Sequence, residues 1–125
     1  MTALTRGVDH VGLTVADLDA SKMFFLDCLG FTMKGGNPDY PSAYVTDGIT
    51  TITLWQARGE AVPFDRHANV GLHHLAFKLD SEADLRDLHE RVACWPGIEV
   101  EFAPEFSGKG PKVHSMIREP GGNRI

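Results

Sequence analysis

A chain of 125 residues with 42% hydrophobic and 23% charged side chains can bury one hydrophobic core, which excludes a disordered polymer. A formal charge of −5, with basic residues scattered rather than striped, argues against a nucleic-acid surface. No apolar run approaches the roughly 18 residues needed to span a bilayer, the first residues lack a secretory signal's apolar region, and Cys28 and Cys94 are the only cysteines, so a reduced cytoplasmic protein with no membrane partner is expected.

Val8–Val15 alternates with period two, Val11, Leu13 and Val15 on one face and Val8, His10, Gly12 and Thr14 on the other, and predicts a strand. Asp17 and Asp19 are N-cap candidates for a helix over about Asp19–Leu29, whose apolar stripe is Ala20, Phe24 and Cys28, with Gly30 as its stop. Strand-like pieces follow at Phe31–Lys34, Ala43–Thr46 and Thr50–Gln56, separated by Gly, Asn, Pro and Asp turns. Residues 58–70 carry Gly59, Pro63 and scattered charges and read as a linker. Leu72–Leu79 then alternates as a strand, with Leu75, Phe77 and Leu79 opposite Leu72, His74, Ala76 and Lys78. Ser81 with Asp84 reads as a capping box for a helix buried along Leu85, Leu88 and Val92. Ile98–Phe102 and Lys112–Arg118 are further strands, and Glu119-Pro120-Gly121-Gly122 is a turn into one more, which breaks off at Ile125.

The second half repeats the first. An offset of 64 (74 − 10) superposes His10 on His74, Val11 on Leu75, Leu13 on Phe77, Val15 on Leu79, Phe24 on Leu88 and Cys28 on Val92. Strand, cap and helix matching at one offset is an internal-repeat signal. The expected organisation is a single α+β domain of two βαβββ modules, about 7–57 and 71–125, the last strand of the second being cut short.

The run Asp9-His10-Val11-Gly12-Leu13-Thr14-Val15-Ala16-Asp17-Leu18-Asp19, with Phe24-Phe25 and Leu29-Gly30-Phe31 beyond it, resembles the opening of a vicinal oxygen chelate protein of the glyoxalase, bleomycin-resistance and dioxygenase group. Gly71-Leu72-His73-His74-Leu75-Ala76-Phe77 resembles the start of that family's second module, and Glu119-Pro120-Gly121-Gly122-Asn123-Arg124-Ile125 its closing motif. The resemblance implies two pseudo-symmetric modules forming an incompletely closed, eight-stranded mixed β-barrel with helices outside. It also implies a homodimer, a small-molecule substrate or ligand, and a divalent metal ion (Fe, Mn, Ni, Co or Zn) inside the barrel. Carried over position by position, the ligands are His10, Gln56 and His74, with a glutamate expected immediately after Ile125.

Two histidines at equivalent repeat positions point to a metal site, although an isolated strand histidine is ordinarily structural. Both lie on faces opposite the large apolar residues; Gln56 shares parity with Ile52 and Leu54, and Trp55 is expected to face a helix. His114, on a face with Lys112, Met116 and Arg118, and Tyr44 are the candidate catalytic residues. His73 is expected to pack or hydrogen-bond, while His67 and His89 read as linker and helix surface. Tyr40, Tyr44 and Trp55 could stack on a substrate or simply pack, Cys28 reads as a buried hydrophobe, and Glu99, Glu101 and Glu105 as solvated charges. Three functions follow. One is a metal-dependent lyase or isomerase, the H/Q/H order being similar to methylmalonyl-CoA epimerase and, less closely, glyoxalase I. The others are an Fe(II) extradiol-type dioxygenase and a metal-free binder of planar compounds like the bleomycin-resistance branch.

Overall fold

The computed structural model describes all of residues 1–125. The first strand, β1 (His10–Val15), buries Leu13 and Val15 and leaves Gly12 and Thr14 exposed, so its period-two pattern is realised as a one-sided strand. Asp17 caps α1 (Leu18–Met23), its carboxylate accepting from the Ala20 N–H at 3.1 Å; Asp19 lies in the first turn, where its charge suits the helix dipole. The helix then widens into a π turn over Phe24–Cys28, closed by the Leu29 N–H donating to the Phe24 carbonyl at 3.0 Å and ended by Gly30 at φ 79°. The expected helical span is therefore kept, but its last turns are π rather than α. That turn delivers Phe24, Phe25 and Cys28 into the core, where all three are fully buried.

Three strands complete the first sheet: β2 (Thr32–Gly35), β3 (Ser42–Thr46) and β4 (Thr51–Gln56), in the order β1-β4-β3-β2. β1 runs parallel to β4, and the other pairs are antiparallel. Leu13, Val15, Val45, Ile52 and Leu54 form the helix-facing side and pack with Phe24, Phe25 and Cys28. Each such burial stabilises by about 1.5–3 kcal/mol. The opposite side carries His10, Gly12 and Thr14 level with Thr51, Thr53 and Trp55, and then Thr46, Tyr44 and Ser42 on β3.

In the second half, Ser81 caps α2 (Glu82–Ala93) by accepting from the Asp84 N–H at 3.1 Å. β5 (Glu99–Phe106) and β6 (Val113–Arg118) form an antiparallel pair with two register shifts. Residues 72–79 keep their alternation, with Leu75, Phe77 and Leu79 half-buried and His74, Ala76 and Lys78 exposed. They nevertheless form no strand, which corrects the expectation for Leu72–Leu79. The one backbone hydrogen bond of this segment runs from the Leu75 N–H to the Arg124 carbonyl at 3.0 Å, and a ladder needs partners along its length. Ile125 exchanges two hydrogen bonds with Ile117 on its other side, at 2.8 and 2.9 Å. The spatial order of 72–79, 124–125, β6 and β5 thus repeats that of β1, β4, β3 and β2, and the barrel is open.

The halves are tied together by the turn after β6. The Glu119 carboxylate, 1% exposed, accepts from Ser21 Oγ at 2.8 Å, the Gly121 N–H at 2.7 Å, and both the backbone and side-chain N–H groups of Asn123 at 3.1 Å. Asn123 also donates to the Thr14 carbonyl, and the Ala16 N–H to the Gly121 carbonyl, each at 3.0 Å. A buried carboxylate with this many donors needs no cation to hold it.

Candidate binding face and cleft

The non-helical side of the first sheet is where chemistry-bearing groups gather. Ile52 and Leu54 face the helix, so alternation sends Trp55 to the other side, and the expectation that Trp55 meets a helix is corrected. Its ring lies 5.0 Å from Tyr40, edge-on, and 5.7 Å from Tyr44. The indole N–H donates to Thr53 Oγ1 at 2.9 Å, which fixes the ring's orientation. Gly12 makes room for it: a Cβ there would stand 3.2 Å from Thr53 Oγ1 and 3.4 Å from the indole nitrogen. The Arg58 guanidinium carbon sits 4.3 Å over the Tyr40 ring, a cation–π contact that ends the aromatic row. Tyr44 is thus part of a half-buried aromatic cluster.

The residues expected to ligate a metal are placed differently from one another. His10 lies on the aromatic side, 57% exposed at its side chain, with Nδ1 2.8 Å from the Asp9 carboxylate. That hydrogen bond, and then the imidazole's charge, hold the Asp9 carboxyl below the usual range. His74 is exposed, and its Nδ1 lies 2.9 Å from Nδ1 of His73. Arg124 Nη1 lies 3.2 Å from the same His73 nitrogen; taking Arg124 as donor makes that nitrogen an acceptor and His74 Nδ1 the second donor to it. Lost solvation, then the neighbouring Arg124 charge, lower the His73 pKa. Gln56 is level with Val15 on the helix-facing side of β4. Its amide oxygen accepts from the Leu18 N–H at 2.8 Å, and its nitrogen donates to the carbonyls of Ala16 and Ala57 at 2.8 and 3.2 Å. Gln56 therefore closes the β1–α1 turn and does not join His10. His114, the other candidate, packs its ring 4.8 Å from Phe102.

Sequence reasoning missed a charge cluster. Glu101 was expected to be a solvated charge and is instead ringed by arginines. Arg124 grips it with Nε at 2.8 Å and Nη2 at 2.7 Å, Arg118 Nε lies at 3.2 Å and Arg66 Nη1 at 3.9 Å. Hydrogen bonds from Arg124 are the largest cause holding the Glu101 pKa down at about 2, against a smaller opposing effect of burial. The three cations come from positions 66, 118 and 124, so no local motif announces them. The one sequence-level hint is that Arg118 and Arg124 flank a tight turn, which brings them face to face.

Between the 57–64 segment and the turn after β6 opens a cleft of about 580 Å³. Thr14 and Arg58 line it from the aromatic side and Arg118 from the arginine cluster, so it joins the two features. This volume lies in the range that encloses a small-molecule ligand.

Comparison with known proteins agrees with the geometry. The pattern defining the Glyoxalase/Bleomycin resistance protein/Dioxygenase superfamily matches residues 7–125. The chain belongs to that superfamily. None of the curated proteins compared matches this superfamily member. Among solved structures, a glyoxylase/bleomycin resistance protein/dioxygenase domain from Frankia sp. EAN1pec is similar, at 29% identity with a TM-score of 0.81 over 96% of this chain and 94% of that one. A lactoylglutathione lyase from Agrobacterium tumefaciens is 26% identical with a TM-score of 0.73, covering 97% of this chain and 91% of that one. A possible glyoxalase from Bacillus cereus, at 24% identity and a TM-score of 0.72 over 97% of this chain and 96% of that one, shares the fold.

A divalent ion held by a protein ordinarily takes at least three side-chain donors. In this member His10 and His74 each keep one ring nitrogen outside the hydrogen bonds described above, but the Gln56 amide is occupied by three backbone groups on the other side of the sheet. No three side chains of His, Cys, Asp and Glu come together in a ligating arrangement. The donor set does not fit a three-ligand centre.

Proposed function

We propose that this superfamily member binds a planar small molecule against the aromatic face of its first sheet. The observation that carries the reading is the row Trp55, Tyr40 and Tyr44 on the side of β3 and β4 away from the helices, next to Thr14 and Arg58, which line the cleft. Three aromatic side chains with a pinned indole offer a stacking surface at little ordering cost. The hydroxyls of Ser42, Thr14 and Thr51, which share that side, would supply polar contacts. The same reading takes residues 7–57 and 71–125 as repeats of one domain joined by 58–70, acting as a homodimer in solution.

Calorimetric titration with 2-naphthamide, a neutral planar probe, tests the face. Binding that weakens about tenfold in Trp55→Ala is expected, since losing one stacking partner and its apolar area is worth roughly 1–2 kcal/mol. Absence of binding to wild type would overturn the proposal.

A second reading, a metal-dependent lyase or isomerase, or a dioxygenase, is favoured by one observation. The Nδ1 atoms of His10 and His74 are each held by a neighbour, the second-sphere arrangement common to metal-bound imidazoles. Stoichiometric metal in purified protein that disappears in the His10→Ala/His74→Ala variant would move this reading to first place.

A further inference from the structure

We infer that the ligand of this face is a planar monocarboxylate, its ring on the aromatic row and its carboxylate on Arg118 with Arg58 beside it; the inference rests on the aromatic-face reading above. Continuity is the first support. Thr14 is level with Trp55 across the β1–β4 pair and lines the cleft, and Arg58 both covers Tyr40 and lines the cleft. The cleft thus runs from the residues beside this row to Arg118.

Charge is the second support. Arg66, Arg118 and Arg124 surround the single carboxylate of Glu101, which leaves the cluster with a surplus of two positive charges. Arg124 is satisfied by its two-pronged grip and is only 9% exposed. Arg118 is 28% exposed and uses only Nε, so both its terminal nitrogens are free to take the two oxygens of a carboxylate. Arg58 has no carboxylate within ion-pair distance, and its guanidinium meets only the Tyr40 ring.

The acidic lining limits the charge of the ligand. Glu119 faces inward with its oxygens taken up by donors, but Glu60 and Glu99 are exposed at the cleft without cation partners. Two carboxylates at the mouth disfavour a dianion such as a phosphate monoester more than a monoanion. A singly charged, planar head group is the match.

The test compares 2-naphthoate with 2-naphthamide, which share a ring and differ in charge. In low-salt buffer the acid is expected to bind wild type at least tenfold more tightly than the amide. Both should perturb the Trp55 indole N–H resonance and leave Trp95 unmoved. Arg118→Gln should remove most of that preference with amide affinity kept within about twofold, and Arg118→Lys should restore part of it. Because Arg118 also touches Glu101, Arg58→Gln, on the connecting segment, serves as the second variant and should lower acid affinity several-fold. Equal affinity for acid and amide overturns the monocarboxylate class and leaves the aromatic face standing. A preference unchanged in both arginine variants overturns it likewise, and no binding of either probe overturns both proposals.

Discussion

At the scale of single residues, strand pairing decides which side chains can cooperate. Gln56 and Trp55 are neighbours in sequence, yet one ties down a turn beside α1 and the other builds the aromatic face. Gln56→Ala should destabilise the fold by about 1–3 kcal/mol, from the loss of hydrogen bonds that satisfy part-buried backbone groups. Its affinity for added Ni²⁺ should equal that of wild type, so chemical denaturation and metal titration together separate a structural role from a ligating one. The alternation that sets Trp55 opposite Ile52 and Leu54 was legible in the sequence, but which of the two sides meets the helices was misread, because the bulk of an indole suggests a core residue as readily as Ile52 and Leu54 do. The parity of Gln56 with Ile52 and Leu54 was legible too, but its face was not: the register that sets His10 level with Thr51, and Gln56 level with Val15, comes only from strand pairing. The Glu101 cluster was not legible, because its three arginines converge only through tertiary contacts. With a folded-state pKa of about 2 against the ordinary 4.5, Glu101 contributes stability that is complete above about pH 4.5 and is lost as pH falls through about 2. The shift sets an upper limit of about 3 kcal/mol, and solvent reaching the cluster lowers it. Glu101→Gln should therefore cost about 2 kcal/mol at pH 7, and the difference from wild type should shrink in denaturation curves taken towards pH 2.

Among elements, the turn that follows β6 does more than reverse the chain. Glu119, Gly121 and Asn123 hold the end of β1 and the start of α1 through three hydrogen bonds, so the two repeats are joined at a point far apart in sequence. The motif was legible as a turn, but its partner Ser21 was not, because a small polar residue on a helix carries no address. Gly121 is the sensitive position: a Cβ there would collide with Ser21 Oγ and lie 2.7 Å from Glu119 Oε1 and from Val15 Cβ. Gly121→Ala should cost upwards of 3 kcal/mol and lower the thermal midpoint by more than about 10 °C for a chain of this size. Gly122→Ala, where no atom stands within 4 Å but φ is 103°, should cost less, through backbone strain alone. If both variants melt with wild type, the turn is not the clamp described. The helix caps were legible because a cap is a local hydrogen bond: of the candidates Asp17 and Asp19 the first caps α1, and Ser81 caps α2, though without the return bond from Asp84 that a full capping box has. The π turn at Phe24–Cys28 was invisible in the sequence, because it follows from seating two phenylalanines and a cysteine in one core rather than from any residue's propensity.

For the whole molecule, the internal repeat was the strongest signal in the sequence, and the spatial order of segments bears it out. The repeats are nevertheless unequal in how their backbones are satisfied. β1 is paired along its length with β4, while its counterpart at 72–79 has a single backbone hydrogen bond, to Arg124. Leu75, Phe77 and Leu79 still pack inward, with Phe77 in edge contact with Phe25 and Phe31 at 6.4 and 5.5 Å, so apolar contacts position this segment without a ladder. Burial and backbone protection should then come apart. Amide exchange is expected to be slow at Leu13 and Val15, whose N–H groups face β4, approaching the global stability of the fold, and fast at residues 76–79, limited by little more than intrinsic chemistry. Leu75 should be the slow exception among its neighbours, because its N–H is the one with a carbonyl to meet. Phe77→Ala should shift the balance further, costing about 3–4 kcal/mol globally while scarcely changing exchange at residues 76–79. Protection at 76–79 equal to that of β1 would mean that this edge is covered in solution by a strand from another copy, and protection that falls on dilution would identify the cover as a dimer contact.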